Sequence, residues 1–299
     1  MPRILDGKAL AQQFQDRLRA RIGVVHARGG SVRLDAVICG DDDDPAHVYA
    51  VNQGKTCGAL GIEYRLHELP AKATFDDIAG RVLLLNMNAE VTAIMLHLPL
   101  PEGVEPYSVQ RLIAPEKDVE GVNPANIGNV VYGRSSLAPC TALAVVTMIE
   151  HTGVSRVGGL RGKTAVIVGA SDVVGKPIAV LLMRMDATVI SCNKWSPGQD
   201  LLRRQADVLV AAAGVPGLIG PGDVKPGAIV IDVGVNRVAG DGGKTKTVGD
   251  VQFEAVRQAL GEHGWISPVP GGVGPMTVMM LLENVVTAAE RAVGLGKDA

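Results

Sequence analysis

The chain has 299 residues, 47% of them hydrophobic, with 37 glycines, few aromatics and a formal net charge of −2. Such a composition excludes a disordered chain, favours two α/β domains with ample core material, and gives no electrostatic basis for nucleic acid or an anionic membrane as main partner. Four scattered cysteines without a CxxC pair (Cys39, Cys57, Cys140, Cys192) point to free thiols rather than a disulfide framework or a zinc site; with no apolar run of signal-peptide or membrane-spanning kind, a cytoplasmic location is expected.

In chain order, Leu10, Phe14, Leu18 and Ile22 recur at helical spacing and predict a helix over about Lys8–Arg28, ended by Gly29 and Gly30. LDAVIC (Leu34–Cys39) predicts a buried strand. The acidic run Asp41–Asp44 fits a solvated loop better than a cation site, because consecutive side chains point in different directions. Pro45 leads into a helix over Ala46–Leu60, closed by Gly61. Ile62–Leu69 predicts a strand, Thr74–Met87 a helix, and Thr92–Leu96 a third strand before His97-Leu98-Pro99-Leu100-Pro101. This alternation predicts an open parallel sheet whose ligands bind beyond the carboxyl ends of the strands, a rim shared by Cys39 and His97. Pro115–Tyr132 reads as a loop carrying Lys117, Asp118 and Glu120, and Pro139–Thr141 precedes a helix to about His151. Strands at Thr164–Val168, Thr188–Ser191, Asp207–Ala211 and Ala228–Val233 predict a second α/β unit.

That second series opens on TAVIVGASDVVGKP (Thr164–Pro177), an apolar strand running into Gly169 with Gly175 six residues later at a helix start. Ser171 and Val174 stand where a G-x-G-x-x-G motif has glycines, so the motif alone is a weak nucleotide signal; the βαβ context strengthens it, with pyrophosphate expected on the helix N-terminus. After the next strand, where an NAD site usually places an acid, come Cys192, Asn193, Lys194 and Trp195. A lysine there favours a 2′-phosphate, hence NADP over NAD, the bland reading being a solvated surface lysine; Trp195 fits either adenine stacking or core cover. The backbones of Val210–Gly214 and Asp232–Val235 end the following strands on the same rim. GDGGKT (Gly240–Thr245) lacks the upstream glycine of a phosphate loop and reads as a hairpin turn. Last comes PVPGGVGPMT (Pro268–Thr277), a stiff stretch of prolines and glycines, followed by a helical period through Val278, Leu281, Leu282, Val285, Ala289 and Ala292, with Pro275 in the first turn. Bare backbone at a helix start suits close approach to a ligand; a plain interdomain crossing fits the composition equally well. The final helix has no strand to accompany it and is expected to pack back on the first domain.

Taken together, DGKALA (Asp6–Ala11), PAHVYAV (Pro45–Val51), LHLPLP (Leu96–Pro101), PEKDVEGVNPANIG (Pro115–Gly128), PCT (Pro139–Thr141), VGASDVVGKP (Val168–Pro177), AIVIDVGVNR (Ala228–Arg237), VGDV (Val248–Val251) and PVPGGVGPMT follow one another as in a known family. Along essentially its whole length the chain resembles the bifunctional methylenetetrahydrofolate dehydrogenase/cyclohydrolase family. The resemblance implies two open parallel-sheet domains: a folate-binding domain of residues 1–138 plus 277–299, and a Rossmann-type NAD(P) domain of residues 139–276. It further implies a cleft between them, a tetrahydrofolate substrate, a homodimer and no metal. It assigns Tyr49, Gln53, His97 and Glu120 to the catalytic positions. Gly169, Ser171, Gly175, Lys194 and Val235 are assigned to the cofactor, and Tyr49, Glu120, Pro270, Gly271, Gly272 and Thr277 to the substrate.

The catalytic positions depart from the family pattern. A Tyr with a Lys four residues on shares one helix face, and the family uses that Lys for proton handling in the cyclohydrolase step. Here Tyr49 is followed by Gln53; Lys55, at i+6, faces elsewhere at ~100° per residue. The family's glutamine before LPLP is His97, its aspartate in KDVDG is Glu120, and Ala142 and Ala144 replace a proline and a glycine after PCT. Gln53 cannot act as a general base, so dehydrogenase activity is expected and lysine-type cyclohydrolase activity is expected to be weak or absent. His97 fits two roles, a substitute base or a hydrogen-bonding replacement for an amide. Alternative functions are transfer of the folate-bound methylene to another nucleophile and a non-catalytic folate or nucleotide binder.

Overall fold

The computed structural model describes residues 2–40, 45–134, 137–154, 159–239 and 245–295. The Asp41–Asp44 run and residues 240–244 of GDGGKT lie outside the described residues. In chain order the first elements are β1 (Arg3–Ile4), α1 (Gly7–Ala27), β2 (Arg33–Cys39), α2 (Pro45–Leu60), β3 (Glu63–Leu69), α3 (Phe75–Met87), β4 (Ala93–Leu96), α4 (Pro106–Gln110), α5 (Pro124–Tyr132) and α6 (Cys140–His151). There follow β5 (Thr164–Val168), α7 (Gly175–Met183), β6 (Thr188–Cys192), α8 (Gln199–Gln205), β7 (Val208–Ala211), β8 (Ile229–Asp232), β9 (Asn236–Ala239), β10 (Thr245–Val248), α9 (Phe253–Leu260), β11 (Trp265–Ile266) and α10 (Val273–Ala292). The chain forms two compact units, one of Met1–Gln12 with Thr141–Met280, the other of Gln13–Cys140 with Leu281–Ala299. No helix among the described residues is long and apolar enough to cross a membrane.

In the second of these units, β3, β2 and β4 form a parallel sheet in the order β3-β2-β4. Every residue of central β2 is buried: Ala36–Cys39 is apolar, and the two charged residues, Arg33 and Asp35, satisfy each other in a bidentate pair at 2.7 and 2.9 Å. Ile78, Val82 and Leu85 of α3 pack on Val37, Ile94 and Leu96. The start of α3 is fixed by a capping box in which the Thr74 hydroxyl accepts from Asp77 N–H and the Asp77 carboxylate accepts from Thr74 N–H. The C-terminal part of α10 packs back onto this unit. Arg21 of α1 makes a bidentate pair with Glu290 at 2.8 Å, reaches the Thr287 hydroxyl at 3.0 Å and also binds Glu283.

The expectation of a loop over Pro115–Tyr132 fails at its second half, which is helix α5. Its start is specified locally: the Asn123 side chain accepts from Ala125 N–H at 2.8 Å, Pro124 occupies the first helical position, and Gly133 closes the helix at φ 72°. Asn-Pro followed by apolar residues is a helix-start signal that the surrounding Gly and Asn content obscures.

The other unit contains a six-stranded parallel sheet in the order β1-β11-β8-β7-β5-β6. From β5 the chain goes to β6 on one side and returns to β7 on the other, so the carboxyl end of β5 is a topological switch point. Residues 1–12 group with this unit by contact, with β1 pairing with β11. β9 and β10 pair antiparallel. At Gly7 the start of α1 lies directly on the Gly271–Gly272 backbone, where a Cβ would fall 1.8 Å from the Gly272 carbonyl oxygen. Gly7→Ala is therefore expected to destabilise the protein by about 2–4 kcal/mol, by the overpacking and backbone shift it forces. Gly23→Ala, with nothing within 4 Å of the new Cβ, is expected to stabilise by up to about 1 kcal/mol. Thermal or urea unfolding of the two variants checks the contrast.

Candidate active site

Three consecutive residues at the end of β4 gather the candidate catalytic groups of the smaller sheet. β4 is an edge strand, and its free edge is met by the segment before Gly121. Ile94 N–H donates to Lys117 O at 2.8 Å, and Leu96 N–H donates to Glu120 Oε2 at 3.2 Å. Met95 Sδ accepts from Gln53 Nε2 at 3.3 Å. His97, whose N–H donates to Val37 O at 2.8 Å, presents its ring to Tyr49 edge-on, with centroids 6.1 Å apart. Tyr49 and Gln53, one helical turn apart on α2, thus both reach the carboxyl end of β4. Helix α2 runs unbroken past them and leaves Lys55 exposed.

The electrostatics of this cluster follow from burial. Gln53 is 4% exposed, and its Oε1 has no hydrogen-bond partner among the described residues. His97 is equally buried, and loss of solvent holds its imidazole down to about 4, so it is neutral at physiological pH. Glu120 shows the opposite shift. Burial pushes its carboxyl up to about 7, the Leu96 N–H pulls it back, and Asp118 adds repulsion. Tyr49 is raised by burial and by the proximity of Glu120 and Cys140.

The segment carrying Glu120 is held by Lys117 and Asp118, which the sequence marked without a role, and by Asn126 and Asn284, which it did not mark; nor did it mark Tyr64, which reaches His97. Lys117 donates to the carbonyls of Asn86 at 2.7 Å and Asn88 at 2.8 Å and so caps the carboxyl end of α3, away from the cluster. Asp118 is fully buried; its Oδ2 accepts from Asn123 N–H and from Asn126 Nδ2, both at 2.8 Å. Asn284 of α10 donates to Val119 O at 2.8 Å and Ala138 O at 3.0 Å, beside Cys140, whose thiol lies 3.2 Å from Val119 O. Tyr64 of β3 brings its hydroxyl to 3.4 Å from His97 Nε2. Of these, the Asp118 bonds to Asn123 and Asn126 close within eight residues, whereas those of Lys117, Asn284 and Tyr64 depend on partners distant along the chain.

The remaining candidate residues lie in the unit with the six-stranded sheet. Gly169 follows β5 at φ 117°, where a Cβ would fall 2.0 Å from Ala212 O; a Cβ on Gly175 would fall 1.9 Å from Gly169 O. The strand, turn and helix start are therefore in backbone contact, which only glycine permits. Ser171 is exposed, and its hydroxyl accepts from Gly175 N–H at 3.4 Å. Lys194 stands over the exposed Trp195 ring, 4.9 Å from its centroid, without an ion pair among the described residues. Trp195 is 79% exposed, so it does not cover the core. Val235 is 70% exposed after β8. The loops around it are fixed by two carboxylates: Asp232 accepts from the N–H groups of Gly234, Asp250 and Val251, and Asp250 from those of Ala213 and Gly214. Pro270, Gly271 and Gly272 form the turn into α10, and Thr277 lies within the first turns of that helix. Gly271 has φ 108°, and the Thr277 hydroxyl donates back to Val273 O at 3.1 Å. Glycine-tight turns at a switch point, with an unpaired cation after the next strand, suit a phosphate-bearing dinucleotide.

Residues 5–120 match the catalytic domain of the tetrahydrofolate dehydrogenase/cyclohydrolase family, and residues 139–293 match its NAD(P)-binding domain. The chain is 42% identical over 294 residues to the bifunctional protein FolD of Rhodobacter capsulatus, covering 98% of this chain and 95% of that relative. The crystal structure of the Campylobacter jejuni bifunctional FolD is 36% identical, with a TM-score of 0.90 over 97% of this chain and 99% of that one. The Trypanosoma brucei enzyme, complexed with NADP cofactor and inhibitor, is 34% identical, with a TM-score of 0.88 over 98% of each chain.

The opposed shifts of His97 and Glu120 give a stability test. His97 favours its neutral form on folding, so its contribution is complete above 6.5 and is lost as pH falls through about 4. Glu120 favours its protonated form, so its contribution is complete below 4.5 and is lost as pH rises through about 7. Urea unfolding of the protein and of His97→Gln at pH 7 and pH 4 is expected to show the variant losing less stability on acidification, by about 3 kcal/mol.

Proposed function

The chain belongs to the tetrahydrofolate dehydrogenase/cyclohydrolase family, and we propose that it oxidises methylenetetrahydrofolate to methenyltetrahydrofolate with NADP, while its cyclohydrolase step is weak or lost. The observation that carries this reading is residue 53. Four residues after Tyr49, on the same helix face, stands a buried neutral amide, and the nearest lysine, Lys55, is exposed.

Hydride transfer asks chiefly that two bound molecules be positioned. Tyr49 and the Glu120 carboxyl are suited to holding the pterin, the carboxyl by accepting from its amide and amino N–H groups. NADP, when bound, supplies the hydride acceptor. Gly169, Ser171, Gly175 and Val235 would hold it by backbone approach at the rim of the sheet. Lys194 would meet a 2′-phosphate, which supports NADP over NAD, as does the NADP complex of the trypanosomal relative. Hydrolysis of the methenyl product is a different demand, because water must lose a proton and a carbinolamine must open. Gln53 has no proton to exchange in the physiological range. The reading includes the cytoplasm as location and a homodimer as working state.

Mixing the protein with methylenetetrahydrofolate and NADP is expected to produce NADPH, followed by its absorbance, with methenyl rather than formyl folate as product. Absence of NADPH would leave methylene transfer to another nucleophile or simple binding as the function, and rapid enzymatic formyl production would overturn the argument from Gln53. Gln53→Lys is expected to raise cyclohydrolase turnover about a hundredfold. Lys194→Ala is expected to raise KM for NADP roughly tenfold or more and to leave NAD unaffected.

A further inference from the structure

Tyr64 stands behind His97 and has no role in the reading so far. It reaches the imidazole because Gly54, the neighbour of Gln53 on α2, leaves room for its ring; a Cβ at position 54 would fall 2.8 Å from Tyr64 Cδ1. The phenol oxygen is then 3.4 Å from His97 Nε2. His97 Nδ1 has no hydrogen-bond partner among the described residues, so this nitrogen is the one left for a ligand. Both rings are uncharged at neutral pH, since burial raises the Tyr64 phenol and lowers the His97 imidazole.

Between a neutral phenol and a neutral imidazole, two hydrogen-bond directions are available. A phenol O–H is the stronger acid of the two donors, and a pyridine-type nitrogen is the stronger base of the two acceptors. The O–H to N direction is favoured, and the bond made by one ring nitrogen sets the state of the other. We infer that the Tyr64 hydroxyl donates to His97 Nε2 and fixes His97 as its Nδ1–H tautomer, so that Tyr64 is a positioning residue that makes His97 a hydrogen-bond donor toward the ligand. The open nitrogen already carries a proton and cannot take one from water. Among Tyr49, Gln53, His97 and Glu120, the Glu120 carboxylate is then the group able to accept a proton. His97 does the work of an amide N–H, directing a donor at an acceptor atom of the substrate. This rests on the proposed function only for the identity of that ligand.

The test is long-range proton–nitrogen NMR on the full chain labelled at histidine nitrogen, at pH 7 and without substrate, with the six histidines told apart by His97→Gln. The expected pattern for His97 is a protonated Nδ1 and an unprotonated Nε2. Tyr64→Phe keeps the ring over Gly54 and removes the hydroxyl; the pattern is expected to move toward Nε2–H. The KM for methylenetetrahydrofolate is expected to rise about three- to tenfold with kcat little changed. An Nε2–H tautomer in the unsubstituted protein, or a tautomer unmoved by Tyr64→Phe, overturns the inference. Those spectra need no turnover, so their failure leaves the dehydrogenase reading intact. Conversely, absence of NADPH formation beside the expected spectra overturns that reading alone.

Discussion

An edge strand carries backbone N–H and C=O groups that no neighbouring strand satisfies, and leaving them unpaired in a protein interior is costly. On β4 they are met by the Lys117–Glu120 segment, through a backbone bond at Ile94 and a side-chain bond at Leu96. The rest of the cluster of Tyr49, Gln53, His97 and Glu120 depends on that closure. It sets Glu120 at the carboxyl end of the sheet, next to the residue that bears the imidazole. It also explains the support behind the segment. Lys117 ties it to α3, Asp118 to the start of α5, and Asn284 to α10. A carboxyl poised near neutrality needs a fixed environment, because its proton affinity is set by the surrounding groups rather than by its own chemistry.

The larger sheet solves a similar problem with carboxylates in place of strand pairing. Beyond β7 and β8 the chain leaves the sheet in turns whose N–H groups have no helix or strand to receive them. Asp232 and Asp250 collect five of these N–H groups, and Asn236 adds a side-chain bond to Asp250 at 2.8 Å. Burial raises Asp232 to about 6 despite these N–H donors, so keeping it ionised costs the folded protein stability as pH rises through that value.

Much of this was legible in the sequence where the signal is periodic. β2, β3, α3, β4 and β5 to β8 fall within a residue or two of where the sequence puts them, most plainly β4, β5, β7 and β8, whose largely apolar runs reflect burial on both faces. β1 and β11, of two residues each, have no period and exist only through pairing with distant strands. Helix α5 was written in Asn123 and Pro124 but reads as loop composition. At the site, the 100° helical step was enough to set Lys55 apart from Tyr49 and Gln53. The opposed shifts of His97 and Glu120 were not legible, since burial is a property of the fold. Nor was Tyr64, which depends on a glycine on one element making room for a ring on another.

The buried Oε1 of Gln53, which has no donor among the described residues, bears on what can be accommodated beside it. A buried carbonyl oxygen lacking a donor carries a desolvation penalty of roughly 1–3 kcal/mol. A molecule that brings an N–H or O–H group to this atom gains its own hydrogen bond and removes that penalty as well. A molecule of similar shape without such a donor leaves the penalty in place. A donor group placed at this atom is therefore favoured over an apolar group of the same shape.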